Sequence, residues 1–245
     1  MFAVIDVSLA ATAVATVDGG SGSVVDTVSV DNHMVDGEVS PLEWLRAIDE
    51  AWSRLGAPAV EAIGVAAFAS GLVVLDGKGH PVRSVWDDDR SEPDAGWCRK
   101  KMPAEWWESE VGIVPEARQA VTKMSWMHRS EADAWSTIAS FVLPGDFVAS
   151  RLAGHKGFVT TIANSLSYGV FRVSDASAHP QVTELIDRER DWSNALPTVV
   201  PETRSIGRWN GAEVFPAVVR TRFDDTPSKS SVISGIAAHF ASFRR

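Results

Sequence analysis

Residues 63–91 constrain the fold of this chain more than any other segment, because they hold two apolar runs around a tight bend. The first run, residues 63–68, ends in Ala-Ser-Gly, and the second, residues 72–75, meets an Asp-Gly-Lys-Gly turn. Short apolar runs bounded by small and turn residues are typical of buried β-strands. The pattern predicts strand, bend, strand and turn, then a third strand at residues 81–85 and an acidic Trp-Asp-Asp-Asp-Arg loop. Polar residues at both rims make this hairpin a candidate ligand cradle.

The chain before this segment predicts three strands and one helix. The strands cover residues 2–7, 10–17 and 23–30, with turn residues between them. A helix is predicted after the Ser-Pro pair at residues 40–41, because serine caps a helix and proline suits its first position. Gly56 is expected to end this helix. Three strands in succession, followed by a helix and a further strand, favour an α/β layered fold.

The second half of the chain predicts further helices around one strand. Residues 123–135 and 144–154 read as helices, and residues 138–143 between them read as a strand. Lys123 is expected on a helix surface and Asn164 in a turn, because both residue types are more often found there than bound to a ligand.

Composition limits the kinds of partner that the protein can have. The 245 residues carry a formal net charge of −9, with 45% apolar and 22% charged residues, as in globular proteins with a sizeable core. The negative charge argues against nucleic acid and anionic membranes, because both are bound by cationic patches. Cys98 is the only cysteine, so neither an internal disulfide nor a cysteine zinc site is expected. No apolar run has the length of a membrane helix and no basic leader is visible, so a cytoplasmic protein is expected.

Four motifs in order along residues 1–207 resemble those of one family, the FGGY-type carbohydrate kinases, particularly the xylulokinase-like branch. They are the bend and acidic loop of residues 63–91, a Pro-x-Asp-Phe helix start at residue 144, a segment at residues 159–171 and a linker at residues 191–207. Together the motifs are more specific than any one alone. The matching positions are Gly71, Trp86, Asp88, Arg90, Pro144, Asp146, Phe147, Arg151, Leu152, Gly154, Thr160, Asn164, Gly169 and Phe171.

The resemblance implies a fold, an activity and a domain division. The implied fold is α/β, a ribonuclease-H-like (actin-like ATPase) domain with a mixed sheet and helices on both faces. The implied activity is transfer of the γ-phosphoryl group of ATP to a sugar hydroxyl with Mg²⁺. Residues 1–207 correspond to the N-terminal domain of such a kinase, and residues 208–245 form a divergent tail where its second domain would start.

The resemblance also assigns roles to five residues. Asp6 would serve Mg²⁺ and, together with Ser8, face the phosphates of ATP. Ser70, Asp88 and Arg90 would line the sugar side of the site. Each assignment has a plainer alternative: Asp6 as the polar end of a strand, Ser70 as a small residue at a tight bend, and Asp88 with Arg90 as an exposed local ion pair of little energetic value.

The departures from the family pattern include the first hairpin and the bend after residue 68. Ser8 and Leu9 stand where the family has Gly and Thr, so a hydroxyl donor is lost and a flexible backbone position is restricted. Phe68, Ala69 and Ser70 replace Gln, Met and His at the bend. The residues that would select the sugar have therefore changed.

The general base of the family lies in a Gly-Gly-Gly-Asp-Asn-like loop, and this sequence shows no such loop. Asp224 and Asp225 lack its glycines, so no catalytic residue is assigned. Two hypotheses follow. In the first, the chain is the sugar-side part of a kinase, completed by a nucleotide-binding half or by a homodimer. In the second, it is a catalytically inactive kinase remnant that binds a sugar or a protein.

Overall fold

The strands of the protein come mainly from the two ends of the described chain, and the helices from its middle. The computed structural model describes residues 1–220. The strands are β1 (Phe2–Val7), β2 (Ala11–Val17), β3 (Val24–Asp31), β4 (Met34–Val35), β5 (Glu38–Val39), β6 (Ala62–Phe68), β7 (Val73–Asp76), β8 (Ile138–Val142), β9 (Val159–Thr160), β10 (Thr198–Val199), β11 (Gly207–Trp209), β12 (Ala212–Val214) and β13 (Val218–Arg220).

The helices follow the first long strands and surround the β7–β8 pair. They are α1 (Pro41–Arg54), α2 (Glu92–Lys101), α3 (Ala104–Glu110), α4 (Ala120–Ser130), α5 (Ala132–Thr137), α6 (Pro144–Leu152), α7 (Ile162–Ser165) and α8 (Pro180–Ile186), with 3-10 turns at Asp89–Ser91 and Leu166–Tyr168. No helix among residues 1–220 combines the length and apolar character needed to cross a membrane.

The main sheet is mixed and has the order β11–β12–β6–β1–β2–β3, with β13 also paired to β6. The β1–β2 and β2–β3 pairs are antiparallel, whereas β6 is parallel to β1, β12 and β13. The three antiparallel strands at the start confirm the sequence prediction. The sheet also continues past residue 207, where the sequence predicts the domain boundary; that boundary stays a prediction, and residues 221–245 lie outside the described part of the chain.

Helix α1 forms where its capping residues predict it. The Ser40 side chain accepts a hydrogen bond from the Leu42 N–H at 3.4 Å, and Pro41 occupies the first helical position. Gly56, at φ +76°, follows the last turn in the left-handed region that glycine tolerates best. The helix faces the sheet with a stripe of buried residues, namely Trp44, Ala47, Ile48, Ala51 and Trp52.

One face of the main sheet carries the larger core. Ala3 and Ile5 of β1 pack there against α1 and against Phe147 of α6. They share this face because side chains alternate between the two faces of a strand. The sequence predicts helices on both faces. On the second face, within residues 1–220, the smaller apolar cluster around Val4 and Ala66 is formed by residues of strands and a loop, and not by helix residues.

A second apolar core surrounds the β7–β8 pair and is rich in aromatic residues. The strands connect the two cores, because Val73 and Val142 belong to the first core and Val74 and Phe141 belong to the second. Helices α2 to α5 and α8 supply most of the other residues of the second core. This arrangement places the bend after β6 at the junction between the two cores.

Two local predictions are wrong. Residues 81–85 form no third strand: β7 pairs with β8, and this segment makes only single bridges such as Leu75 to Pro81. The helix predicted over residues 123–135 is two helices, because Glu131, at φ −133° and ψ 56°, leaves the helical region. The turn between β7 and residue 80 is as predicted, with the Asp76 carboxylate accepting from two backbone N–H groups.

Candidate functional site

The bend after β6 is held close to the start of α6. A Cβ atom on Gly71 would meet the Pro144 ring and would lie 2.8 Å from the Phe68 ring. Only glycine therefore allows this close approach. The neighbouring Ser70 is 3% exposed, and its Oγ has no hydrogen-bond partner among residues 1–220.

A cavity of about 720 Å³ opens beside this bend. Its volume lies within the range of about 300–1,000 Å³ that is usual for small-molecule sites. Its walls come from the bend, from the 3-10 turn and α2, and from the segment that leads into α4. The lining residues are Ala69, Ser70, Asp89, Glu92, Arg99, Ile113, Glu116, Ala117, Arg118, Gln119 and Ser167.

Both arginines of the cavity are already neutralised by neighbouring carboxylates. Arg118 Nε donates to Asp89 at 2.9 Å, and an Arg99 guanidinium N–H donates to Glu92 at 2.7 Å. Glu116 adds a third carboxylate to the lining. Polar groups with little free positive charge therefore line the cavity. The sequence motifs miss these residues, because nothing in their local order shows that four separate segments of the chain meet here.

The predicted pair Asp88 and Arg90 serves the loop itself. Asp88 accepts from the Arg90 N–H at 3.0 Å and from Arg90 Nε at 2.8 Å. The Arg90 side chain holds the pKa of Asp88 below its usual value. Arg90 also donates to Glu38 at 2.8 Å. Among the residues within 1–220 that line the cavity, Asp89 comes from this loop, whereas Asp88 and Arg90 are not part of the lining.

Three of the buried polar atoms without a hydrogen-bond partner within residues 1–220 lie in the loop of residues 86–91. Trp86 Nε1, Asp87 Oδ1 and Ser91 Oγ are buried and have no hydrogen-bond partner within residues 1–220, as is the case for Ser70 Oγ. Most buried polar groups in folded proteins are hydrogen-bonded. Among these four atoms, only Ser70 Oγ belongs to a residue of the described cavity lining, so it is a candidate partner for a polar ligand there.

Lys123 is not on a helix surface, and that prediction is wrong. It is fully buried, and its Nζ donates to the Trp86 carbonyl oxygen. Burial lowers the pKa of Lys123 to about 7. The helical spacing offered a signal, because Lys123 lies three residues after Ala120 and four before Met127, both of which are in the core. Asn164 is also buried, and it donates to Asp146 at 3.1 Å.

Asp6 and Ser8 lie at the first hairpin. Asp6 is half-buried in β1, opposite Ala13 in β2 and Ala66 in β6. The Ser8 hydroxyl is engaged within the hairpin, because it donates to the Ala11 carbonyl at 2.7 Å and accepts from the Ala11 N–H at 3.0 Å. The described lining of the 720 Å³ cavity includes neither residue.

The acidic residues suit only one kind of magnesium site. No group of three or more His, Cys, Asp or Glu residues in the described part of the chain can hold a metal ion by itself. Mg²⁺ in phosphoryl-transfer sites is usually held by one or two carboxylates, water and the phosphates of the nucleotide. Asp6 fits that mode, in which the nucleotide supplies most of the ligands.

Known proteins share both sequence and fold with this chain. Residues 32–215 match the model of the N-terminal domain of the FGGY family of carbohydrate kinases. A xylulose kinase from Streptomyces coelicolor is 34% identical over 158 residues, which cover 61% of this chain and 33% of the relative. The chain thus spans about a third of the length of the curated relatives that it matches.

Solved structures confirm the predicted fold. A xylulose kinase from Rhodospirillum rubrum has a TM-score of 0.78 at 18% identity, over 88% of this chain and 48% of that protein. A gluconate kinase from Lactobacillus acidophilus has a TM-score of 0.77 at 14% identity, over 89% of this chain and 48% of that protein. The predicted α/β, actin-like ATPase fold is correct. The chain belongs to the FGGY family of carbohydrate kinases.

Proposed function

We propose that the 720 Å³ cavity binds a neutral, xylulose-like sugar, which a nucleotide-binding half would allow the protein to phosphorylate. The observation that carries the proposal is the buried Ser70 hydroxyl, which lines the cavity and has no hydrogen-bond partner among residues 1–220. A sugar hydroxyl can both donate to and accept from such a group. Similarity to a xylulose kinase from Streptomyces coelicolor supports a sugar as the ligand.

The charges of the cavity favour a neutral sugar over a sugar acid. Arg99 and Arg118 are each paired with a carboxylate of the lining, and Glu116 is a further anion. A ligand carboxylate would have to displace Glu92 or Asp89 from its arginine. A neutral sugar replaces water without breaking either ion pair.

The roles proposed for this chain are binding and orientation. Ser70 would fix one sugar hydroxyl, and the bend would place the sugar against the acidic loop. Asp6 would hold Mg²⁺ through the nucleotide phosphates, and the bound ion would neutralise charge on the transferred phosphoryl group. No carboxylate of residues 1–220 is assigned as the general base, which the proposal places in the nucleotide-binding half. Asp88 and Arg90 would act indirectly, by shaping the loop that presents Asp89.

One observation favours the alternative, a sugar-binding module without kinase activity. The Ser8 hydroxyl is engaged by Ala11, and Leu9 offers no hydroxyl at the next position. The Ser8 backbone N–H donates to the Ala11 carbonyl oxygen at 3.0 Å, so it too is engaged within the hairpin. The hairpin therefore presents fewer groups to phosphates than the family pattern implies.

Ser70→Ala is expected to weaken binding of D-xylulose about tenfold, since the loss of one hydrogen bond is worth about 1 kcal/mol or slightly more. Its unfolding free energy should change little, because the hydroxyl has no partner within residues 1–220. Calorimetric titration and urea unfolding measure the two effects. Ser109→Ala, which removes an exposed hydroxyl, is the matched control.

Two outcomes would contradict the site or its ligand class. Unchanged xylulose affinity in Ser70→Ala would place the sugar elsewhere. Tighter binding of the five-carbon sugar acid xylonate than of xylulose would overturn the preference for a neutral sugar.

Residues 1–245 expressed alone are expected to release no ADP from Mg-ATP in the presence of pentoses, hexoses or polyols. They span about a third of the matched relatives, and phosphoryl transfer depends on the complete positioning of phosphates, metal and base. A coupled ADP-release assay, with a complete xylulose kinase as positive control, measures the activity. Sugar-dependent turnover that disappears in Asp6→Ala would show instead that this chain is sufficient.

A further inference from the structure

The loop of residues 86–91 contributes Asp89 to the wall of the candidate cavity and is anchored from inside the protein. Trp86, at its start, is 1% exposed and packs on Trp126 of α4 with ring centroids 5.4 Å apart. Asp89, near its end, lines the cavity. Trp86 therefore anchors the start of the loop, three residues before Asp89.

The facing wall is the segment that leads into α4. Arg118, in this segment, pairs with Asp89 at 2.9 Å on the exposed side of the loop. Lys123, one turn into α4, reaches the same loop from the buried side and donates to the Trp86 carbonyl oxygen. Its Nζ also lies 4.8 Å from the centroid of the Trp86 ring. Two cations thus join the two walls, one at the surface and one in the core.

We propose that Lys123 is a positioning residue, which holds the loop of residues 86–91 against α4 and thereby sets the width of the sugar cavity. The part of this inference that concerns sugar rests on the proposed function. A buried ammonium without a companion carboxylate in direct contact costs folding free energy. A hydrophobic residue would fill the same core position without that cost, so the hydrogen bond to Trp86 is the specific contribution of the lysine.

The charge on Lys123 depends on its surroundings, and the inference predicts a pH dependence. Burial lowers its pKa to about 7, while nearby carboxylates oppose the shift and nearby guanidinium groups add to it. Below this pKa the amine is protonated, and because burial disfavours its charge, the proton is bound more tightly when the loop opens and exposes Lys123 to water than when the loop is closed. The loop should then be held less firmly. The charged groups that face Lys123 or the Trp86 ring are Asp87, Asp88, Arg90, Arg118 and Arg83.

The test measures amide hydrogen exchange in residues 86–91 and the affinity for D-xylulose at about pH 6 and about pH 8, on either side of the Lys123 pKa of about 7. Protection factors are used because they remove the intrinsic pH dependence of exchange. In the wild type, protection of the loop is expected to rise about tenfold from the lower to the higher pH, the factor that corresponds to about 1.4 kcal/mol, and xylulose affinity should rise with it.

Lys123→Met is expected to show low loop protection and weak xylulose binding at both pH values. Lys78→Met, which removes an exposed ammonium from a turn, should behave as the wild type. Ser70→Ala should lose sugar affinity but keep the pH-dependent protection of the loop. If Lys123 served only the overall stability, Lys123→Met would change the free energy of unfolding. The pH dependence of loop protection would then be the same in Lys123→Met as in the wild type.

The outcomes separate this inference from the proposed function. Equal loop protection in the wild type and Lys123→Met, or a pH profile that survives in Lys123→Met, overturns the inference. A pH-dependent loop in a wild type that binds no xylulose supports the positioning role and contradicts the proposed function. If Lys123→Met does not fold, the wild-type profile alone decides, because protection that is constant between the two pH values overturns the inference.

Discussion

Gly207→Ala is expected to destabilise the protein by about 3 kcal/mol, because a methyl group at this position has no space. A Cβ atom would meet the Ala153 carbonyl oxygen and would lie 2.8 Å from Ala153 Cβ. The carbonyl belongs to the backbone at the end of α6, so it cannot move aside as a flexible side chain does. The backbone at φ +158° adds strain for a residue other than glycine.

The effect of Gly207→Ala should appear as a lower urea midpoint with an unchanged slope, since the lost stability comes from the folded state. Gly211→Ala is the matched control in the adjacent turn of the same β11–β12 pair. Gly211 also has positive φ, at +84°, but a Cβ there meets nothing within 4 Å. Equal loss in both variants would show that backbone strain, and not contact with Ala153, is responsible.

Tyr168→Phe is expected to cost about 3 kcal/mol, since two buried groups lose their partner and each such loss costs about 1–3 kcal/mol. The Tyr168 hydroxyl donates to the Asp146 carboxylate at 2.8 Å and accepts from the Leu143 N–H at 2.9 Å. Asp146 also accepts from Asn164, whose side chain donates in turn to the Ala217 carbonyl at 2.7 Å. The network joins α6, α7 and the segment before β13.

The cost of Tyr168→Phe should increase with pH. Burial raises the pKa of Asp146 from 3.8 to about 6, so the folded wild type binds this proton more tightly than the unfolded chain does. Stability from this group is therefore fully present below pH 3.8 and is lost as the pH rises through about 6. Removing the hydroxyl raises the Asp146 pKa further, because that hydrogen bond lowers it.

Urea unfolding at about pH 5 and about pH 8, on either side of the Asp146 pKa of about 6, measures this effect. The loss caused by Tyr168→Phe should be larger at the higher pH. Ser136→Ala, which removes an exposed hydroxyl bonded to a backbone carbonyl, should show little loss at either pH. A loss from Tyr168→Phe that does not change with pH would mean that Asp146 does not change its protonation state across this range.

Much of the local structure could be predicted because its causes lie next to each other in the chain. The serine cap and the glycine stop predict both ends of α1, and the apolar runs predict β1 and β6 within a residue of their observed limits. The Pro-x-Asp-Phe motif likewise predicts the start of α6 at Pro144. Caps, turns and strand periodicity depend on neighbouring residues, and they act before any distant contact forms.

Tertiary structure decided the partner of β7, the burial of Lys123 and the composition of the cavity. Strand β7 pairs with β8, which lies more than sixty residues later in the sequence, and no local pattern specifies that partner. Asp88 and Arg90 satisfy each other, whereas Asp89 between them meets Arg118 across the cavity. By itself the sequence determined the elements and the family motifs, since these depend on local order. Which polar groups face the cavity depends on distant segments packing together. Only packing removes some side chains from water and leaves others, such as Ser70, without a hydrogen-bond partner within residues 1–220.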